Sequence, residues 1–579
     1  MLCVVFFSIA AVNLGDTSYP QTQTQVTPGQ SFYVNLGGQT NVKSALFLIC
    51  LGYLNVTVSS GSPGNWTNPV NILDGYSSGS WSDPTPFCSF TNEAAVGQNV
   101  QYLKIDIGSV EGQTFPTTLL QIAVISTNNQ VVPIQSITGL SGTSTGLNGL
   151  INDQKDIHYP VDYMENTYFD EIYFARTAES YLHLQLPYEW THPPLGKLIQ
   201  AGGIAIFGLT PFGWRIMGVI FATLMIAVMY LLGKKLLGTW IGGFTAAFLM
   251  TFEFMHFTMG RMGTADTYLV FFEVTSQLFF LIYLKNVLDK GWKASSIFPL
   301  FLTFVFFSLA LSSKFAIALF GFAGDLAILI AIRLKEVKNL KGTVSDKIYC
   351  LLDRPYSWVV AFILVALGIY LATYIPDMLA GRSFIGVLNL QQQMYEYHST
   401  LTATRWYDSN WYSWPFMFNP INPNMHVPIW LEGSATFPNG NVSVIDLLGN
   451  PAVWWVGFAA IVILTIVYVP KFLSKKFDFK KNLPAVFILV FFFFQWLPYI
   501  FITREVYIYH FYSDVPFLCL GVAFLVSRYW TNKWVKIAAI AYFALTIGLF
   551  ALFYPVISGV PTSTSTINSL TWFKSWILG

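Results

Sequence analysis

The sequence predicts an α-helical polytopic membrane protein that carries a β-sandwich-like domain near its N-terminus. Of its 579 residues, 54% are hydrophobic and only 11% are charged, whereas soluble domains carry about 25% charged residues. Apolar stretches of about 20 residues, enough to cross a bilayer, recur after residue 212. The formal net charge of +1 argues against a nucleic-acid partner, because such proteins present a basic face to phosphates.

The hydropathy pattern predicts about eleven membrane spans. The stretch 2–14 is apolar but short; it is either a first span whose start is missing, which we favour, or the core of a signal peptide. Residues 1–16 are therefore assigned to a first transmembrane helix. Residues 198–209 are apolar but too short to cross, and are expected at the interface or as a re-entrant segment. The other spans are predicted near 213–233, 237–257, 265–287, 297–312, 314–333, 357–376, 452–470, 484–503, 513–528 and 535–556.

Basic residues predict the orientation, because short cytoplasmic loops are enriched in Lys and Arg. Five loops hold most of the 31 Lys and Arg residues and are predicted to be cytoplasmic: 234–238, 285–295, 333–356, 470–483 and 528–536. In a eukaryote the opposite, extracytoplasmic side would be the ER lumen. The remaining organisation is a β-rich domain (17–155), a loop with two charged motifs (156–212), transmembrane helices (213–376), a second extracytoplasmic loop (377–451), transmembrane helices (452–556) and an extracytoplasmic tail (557–579).

The β-rich domain is predicted from runs of alternating apolar and polar residues separated by turn residues. It either binds carbohydrate or the acceptor, or it is a passive structural module, which we favour. Cys50 and Cys88 lie in this region. They form either one disulfide, if the region is extracytoplasmic, or two separate buried thiols, and the sequence does not decide between them.

Two charged motifs lie next to the predicted membrane surface: Asp170-Glu171, and the run from His192 to Lys197 that reads His-Pro-Pro-Leu-Gly-Lys. Charged groups close to hydrocarbon usually mark a substrate site. Further polar and aromatic residues fall on the same predicted side, where an interfacial aromatic belt or snorkelling cations are the alternative explanation. A carboxylate beside several cations suits an acid/base group that faces a phosphate-bearing lipid. These further residues are Arg261, Asp266, Lys314, Tyr397, His398, Trp411, Arg504 and His510.

The motifs resemble the protein O-mannosyltransferase family, which are dolichyl-phosphate-mannose–protein mannosyltransferases with the GT-C membrane fold. The resemblance runs through the Asp-Glu and His-Pro-Pro motifs, Pro211 to Arg215, Arg261 to Asp266, Ser409 to Pro415 and Arg504 to His510, and covers roughly residues 160–530 in order. Two departures are clear. The loop 377–451 has no room for the MIR domain of eukaryotic members, which indicates an archaeal or bacterial member. Where members commonly have His-Pro-Tyr, this chain has Arg405-Trp406-Tyr407.

The resemblance implies an inverting transfer of mannose from a polyprenyl (dolichyl) phosphate to Ser or Thr hydroxyls of proteins. Asp170 is the expected general base, and Glu171 either orients the acceptor or supports Asp170. No metal or other cofactor is expected besides the lipid-linked donor, and a dimer, as in eukaryotic members, stays open. The donor phosphate is expected to contact Arg504 first, with Lys197, His192, Arg261 and His510 as weaker candidates; the sugar or acceptor is expected to contact Asp266, Tyr397, His398 and Trp411.

Several alternatives remain from the sequence. A related GT-C enzyme would act on a glycolipid or surface polysaccharide; an oligosaccharyltransferase is less favoured, because the sequence has no Trp-Trp-Asp-Tyr-Gly run. A transporter or scramblase would show inverted repeats and broken helices at the midplane, and a degenerate binding module would use the β-rich domain as a sensor. Asp266 either pairs with Arg261 or Lys314 or binds the sugar. Glu253, Glu273 and Asp325 lie within predicted spans, where structural pairing is favoured over a proton relay.

Overall fold

A computed structural model describes residues 1–74, 87–110, 116–142, 145–292, 295–352, 356–401, 407–474 and 477–579. A β-sheet near the N-terminus sits beside a large helical bundle. The helices are α1 (Leu2–Ala10), α2 (Glu171–Leu182), α3 (Leu195–Phe207), α4 (Pro211–Leu237), α5 (Trp240–Thr251), α6 (Phe254–Arg261), α7 (Asp266–Lys290), α8 (Phe298–Leu311), α9 (Phe315–Asn339), α10 (Val344–Leu352), α11 (Tyr356–Ala372), α12 (Ile375–Leu379), α13 (Phe384–Thr400), α14 (Pro451–Phe472), α15 (Phe479–Trp496), α16 (Val515–Arg528), α17 (Lys533–Ser558) and α18 (Thr564–Leu570).

Within the described residues, seven helices are long and apolar enough to cross a membrane. They are α4, α7, α9, α14, α15, α16 and α17, with short 3₁₀ turns extending α15 and α16. Apolar helices also occupy the other predicted spans, but α1, α5, α8 and α11 have only 9, 12, 14 and 17 residues. The polytopic membrane architecture is confirmed, and the count of eleven stays a prediction.

The predicted span 237–257 is wrong as one continuous helix, because the chain breaks between α5 and α6. The Glu253 side chain accepts a hydrogen bond from the His256 backbone N–H at 2.6 Å and so caps α6. The same carboxylate accepts from the Trp454 indole N–H at 2.9 Å and the Asn450 backbone N–H at 3.2 Å. Glu253 is therefore structurally paired, as favoured from the sequence, and the break is fixed by α14.

Small residues let the membrane helices pack closely, as is common inside bilayers. A Cβ atom on Gly218 of α4 would lie 2.6 Å from the Gly260 carbonyl oxygen of α6, too close without a backbone shift. A Cβ atom on Gly368 of α11 would meet no atom within 4 Å.

Gly218→Ala is therefore expected to destabilise the protein by about 1–3 kcal/mol through overpacking. Gly368→Ala is expected to be neutral or slightly stabilising, because Ala favours a helix over Gly. Thermal unfolding of the two variants in the same detergent provides the comparison. Equal unfolding temperatures would show that α4 and α6 do not pack this closely.

The N-terminal sheet contains eight antiparallel strands: β1 (Thr24–Val26), β2 (Ser31–Leu51), β3 (Leu54–Ser62), β4 (Asn65–Asp74), β5 (Ser89–Phe90), β6 (Ala94–Ile107), β7 (Thr117–Ser126) and β8 (Ser136–Ser141). The order is β1-β7-β2-β6-β3-β4, and β5 and β8 also pair with β2. A β-sandwich-like domain was predicted, and the described strands are joined by hydrogen bonds into one sheet. The reason is β2, whose 21 residues pair with β8 near the start and with β7 near the end.

The chain enters and leaves the β-rich domain at the same point on the helical body. Asp16 precedes the sheet and His158 follows it, and His158 Nδ1 lies 2.7 Å from Asp16 Oδ2. The Asp16 backbone also accepts from the Phe212 N–H at 3.2 Å and donates to the Met164 carbonyl at 2.9 Å. The β-rich domain is thus an insert whose two ends meet beside the start of α4.

The insert packs on the helical body through an apolar cluster. Leu48, Phe87 and Leu120 from the insert share this cluster with Ala178 of α2 and Ile204 of α3. Cys50 and Cys88 are buried in the same cluster as free thiols with sulfur atoms 2.6 Å apart. The structure therefore places the thiols side by side, and a disulfide bond between them stays a prediction.

The segment 377–451 is more ordered than a loop. It contains α13 and an antiparallel hairpin of β9 (Ile429–Thr436) and β10 (Asn441–Leu447), to which β11 (Thr562–Ser563) adds a third strand. Arg405 and Trp406 lie outside the described residues. The hairpin joins this segment to the C-terminal tail, which brings the two predicted extracytoplasmic regions together.

Candidate active site

Glu171 begins α2 and is fixed inside the protein rather than presented to a substrate. Its carboxylate accepts hydrogen bonds from Arg215 Nε at 2.8 Å and Nη2 at 2.7 Å, from Trp214 Nε1 at 3.3 Å and from the Gly263 N–H at 2.8 Å. The Glu171 and Arg215 side chains are both 0% exposed. Of the two roles expected for Glu171, its contacts favour support of Asp170 over contact with the acceptor.

Asp170 immediately precedes Glu171 in the chain and is half-buried. The preceding residue, Phe169, has a left-handed backbone with φ of 49°, which a bulky residue rarely adopts. Its ring packs against Tyr407 and Tyr509, with ring centroids 5.9 and 6.3 Å apart. Tyr509 in turn interacts electrostatically with Asp170, Asp266 and Arg504. The turn therefore holds Asp170 beside an aromatic residue that also adjoins the cationic groups.

The His-Pro-Pro run is held by a buried ion pair. Lys197 Nζ donates to Glu189 Oε2 at 2.6 Å, to the Glu189 carbonyl at 2.8 Å and to the His192 carbonyl at 2.7 Å. Burial alone would raise the pKa of Glu189, but Lys197 and His192 hold that pKa well below its usual value. Lys197 was expected to bind phosphate. The structure instead buries its side chain, which holds the segment from Glu189 to His192 in place.

A cavity of about 410 Å³ opens at the end of the bundle where the His-Pro-Pro run lies. Its polar wall includes His192, Lys314, His398, Arg504 and His510. Its apolar wall includes Phe315, Ile317, Phe320 and Phe501, and Phe501 is 84% exposed. The cavity thus combines cationic donors on one side with an apolar rim on the other.

The hydrogen bonds of His398 fix its charge and position. Nε2 donates to the Thr191 carbonyl at 2.9 Å, and Nδ1 accepts from Arg504 Nη1 at 3.3 Å. This pattern requires the neutral imidazole. Burial, together with the nearby His192, Arg504 and Lys314, lowers the pKa of His398 to about 4. His398 therefore orients the Arg504 guanidinium without competing with it for an anion.

Asp266 and Lys314 form an ion pair at the same end of the bundle, with Lys314 Nζ 2.8 Å from Asp266 Oδ1. Lys314 Nζ also lies 5.1 Å from the centre of the Tyr509 ring. Of the partners expected for Asp266, the structure therefore selects Lys314. The pair places a partly neutralised ammonium group at the cavity wall.

The remaining predicted residues lie elsewhere. Arg261 is buried, and its guanidinium donates to the carbonyls of Ala10, Val12, Asn13 and Ser558. The expected phosphate role of Arg261 is therefore wrong, because those backbone acceptors occupy it. Tyr397 packs against Trp190 at 5.8 Å between ring centroids, and Trp411 accepts through its carbonyl from Trp496 Nε1 at 2.9 Å. Neither ring lines the cavity.

Three residues were not assigned to the site from the sequence. Lys314 was placed on the predicted side of the site, but the only individual role given to it was as a partner for Asp266, although an isolated cation between two apolar helices is a signal in itself. Glu189 precedes His192 by only three residues, a proximity that could have indicated a pair. Tyr509 gave no signal, because aromatic residues are common at span ends.

One group of potential metal ligands occurs among the described residues, and it lies outside the cavity lining. Asp16, His158 and Glu165 each offer a ligand atom, and these atoms lie within 4.8 Å of one another. Burial and the adjacent Asp162 raise the pKa of Glu165 to about 9. The group lies where the two ends of the β-rich domain meet, and none of its members lines the cavity that contains Arg504 and Lys314.

Two family models match the sequence. A family model for dolichyl-phosphate-mannose-protein mannosyltransferase matches residues 191–344. A second, for the C-terminal four-transmembrane region of protein-O-mannosyltransferase, matches residues 383–576.

Two curated relatives are named polyprenol-phosphate-mannose–protein mannosyltransferase. The protein from Corynebacterium glutamicum is 27% identical over 438 residues, covering 66% of this chain and 81% of its own. The protein from Mycobacterium tuberculosis is 23% identical over 440 residues, covering 66% and 80%.

The fold is similar to that of a solved protein O-mannosyltransferase complex from S. cerevisiae bound to the sugar donor. The TM-score is 0.58 at 14% identity, covering 71% of this chain and 89% of that chain. The two family models follow one another and together match more than half of the sequence. The chain is a multi-pass membrane protein of the GT-C type and belongs to the protein O-mannosyltransferase family.

Proposed function

We propose that this protein is an inverting glycosyltransferase that moves mannose from a polyprenyl phosphate to Ser or Thr hydroxyls of proteins. The observation that carries the proposal is the cavity, which joins Arg504 and Lys314 to an apolar rim and lies beside the turn that holds Asp170. The names of the curated relatives support the same donor and acceptor. The predicted orientation places this end of the bundle on the extracytoplasmic side of the membrane.

The donor is proposed to bind with its phosphate at the polar wall and its lipid along the apolar rim. Guanidinium and ammonium groups hold phosphate oxygens through charge-assisted hydrogen bonds. The leaving group is a lipid phosphate whose negative charge grows as the bond to C1 breaks. Fixed cations at that position stabilise the developing charge, so no separate acid is required.

Asp170 is proposed to accept the proton of the acceptor hydroxyl as its oxygen attacks C1 of the mannose. The new bond from oxygen to C1 forms on the face opposite the phosphate, and the bond from C1 to the phosphate oxygen breaks with its electron pair. A β-linked donor therefore gives an α-linked product. Glu171 contributes by holding the start of α2, through Arg215 and the Gly263 N–H.

The test is transfer from radiolabelled polyprenyl-phosphate-mannose to a Ser/Thr-rich peptide by the purified full-length protein. Mannose on the peptide supports the proposal. Donor binding with no modified peptide, followed by transfer to a glycolipid acceptor, would replace it with the related GT-C activity. Size measurement of the active species in detergent shows whether the protein works as a dimer.

Arg504→Ala is expected to lower kcat/KM for the donor about 10- to 100-fold, because it removes a charge-assisted contact worth about 1.5–3 kcal/mol. Lys574→Ala, at an exposed position outside the cavity lining, is the matched control. Full activity of Arg504→Ala would exclude this wall as the phosphate site.

A further inference from the structure

A second polar site lies inside the membrane helices. Glu273, Ser276 and Gln277 of α7 face Gly321 and Asp325 of α9 across a cavity of about 10 Å³. All of these polar side chains are nine-tenths or more buried. A volume of this size is at the lower limit for one water molecule or one dehydrated ion.

The side chains around this cavity have more acceptors than donors. Glu273 Oε2, Asp325 Oδ1 and both amide atoms of Gln277 make no hydrogen bond to any described residue. The unpaired set is therefore three oxygen acceptors and one N–H₂ donor. Leaving buried polar atoms unpaired is costly, so the arrangement calls for an occupant that contacts several oxygens at once.

The charge balance points the same way. Asp514, at the start of α16, interacts electrostatically with Glu273, so three carboxyl groups gather here. None of the three forms an ion pair with a Lys, Arg or His among the described residues. Glu273 has two neutral neighbours: the N–H₂ of Gln495 donates to Glu273 Oε1, and the Ser513 side chain also interacts with this carboxyl group. The structural pairing favoured from the sequence is present for Glu273, through Gln495, whereas Asp325 Oδ1 has no hydrogen-bond partner within the described residues.

The backbone also makes room for the carboxylate. A Cβ atom on Gly321 would collide with Glu273 Oε1. Only glycine lets α9 approach α7 at this point with the Glu273 side chain turned inward. The cavity is thus formed by the main chain as well as by the polar side chains.

We propose that Glu273, Gln277 and Asp325 bind one small monovalent cation, with Na⁺ as the natural occupant. Oxygen ligands suit a hard cation, but Ca²⁺ takes six to eight oxygens and Mg²⁺ keeps several waters. The cavity has no room for either arrangement. The site is independent of the proposed transfer reaction, although Tyr499, which lines the donor cavity, interacts electrostatically with Glu273, Asp514 and Arg504.

The test is thermal unfolding of the full-length protein in detergent, at fixed ionic strength, with NaCl, KCl or choline chloride. A ligand that binds only the folded state stabilises it in proportion to its occupancy. Na⁺ is expected to raise Tm saturably, by on the order of 2 °C, in the wild type. Asp325→Asn removes the increase, whereas Asp289→Asn, at an exposed carboxylate on α7 outside the cavity, keeps it.

A second measurement does not depend on a variant. A hydrophobic carbodiimide reacts with protonated carboxyl groups in apolar surroundings, and peptide mass spectrometry locates the adduct. Na⁺ is expected to protect Glu273 and Asp325 from this reagent, and choline is not. Equal labelling in both salts, with no Na⁺-dependent rise in Tm, would overturn the proposal and leave protonated carboxyl groups bridged by water.

Discussion

Replacing Asp170 with Asn is expected to lower the rate of mannose transfer by about 10²- to 10⁴-fold, the range that a positioned general base contributes. An amide of the same shape cannot accept the hydroxyl proton, so the attacking oxygen stays a weak nucleophile. Donor binding is expected to remain, because the cavity wall is built from Arg504, Lys314 and the histidines rather than from Asp170. Single-turnover transfer and donor binding, measured separately, distinguish the two effects.

The matched control for this substitution is Asp156→Asn, a half-buried carboxylate, like Asp170, in the segment that precedes the site. It is expected to transfer mannose at the wild-type rate. A variant at Asp170 that keeps full activity would remove the residue from the mechanism. A variant that loses donor binding as well would show that Asp170 shapes the cavity rather than the chemistry.

Glu171→Ala is expected to destabilise the folded protein by about 3–5 kcal/mol, because it leaves the buried Arg215 guanidinium without its partner. The loss is large since the Trp214 N–H and the Gly263 N–H lose the same acceptor. Unfolding by heat and by denaturant in detergent measures the effect. A residue that only orients an acceptor would lower transfer and leave the unfolding curve in place.

The double variant Glu171→Leu with Arg215→Met closes a thermodynamic cycle for this pair. The double variant is expected to be more stable than Glu171→Leu alone or Arg215→Met alone, because it leaves no unpaired buried charge. Additive effects of the two substitutions would mean that the side chains do not interact in the membrane-embedded protein. The transfer activity of the double variant then shows how much the position of the Asp170 carboxylate depends on the Glu171–Arg215 ion pair.

Composition and charge pattern were sufficient to predict that the protein is a helical, multi-pass membrane protein. The apolar stretches predicted α4, α7, α9 and the four C-terminal membrane helices, since a span is a local property of the sequence. His192, His398, Arg504 and His510 were also predicted, and the structure brings them to one cavity. These groups fall at span ends on one predicted side, so hydropathy alone already brings them near each other.

Roles that depend on distant partners could not be predicted. Arg261 binds carbonyls of residues about 250 positions earlier in the chain, and Glu253 breaks a predicted span through Asn450 and Trp454. Lys197 looked like a free cation because Glu189 was not recognised as its partner. In each case the side-chain type was right for a ligand site, and a long-range contact decided otherwise.

The meeting of the insert's two ends at Asp16 and His158 has a consequence for how such a chain can diversify. An insertion whose ends are already adjacent adds little closure entropy to the host, however long it is, because that cost grows only with the logarithm of length. The helical body is therefore expected to tolerate replacement of this domain by another that starts and stops at the same point. The replacement domain would need an apolar face to cover Ala178 and Ile204, which the present domain shields from water. We therefore expect the β-rich domain, rather than the membrane bundle, to be the part of the molecule that can be exchanged.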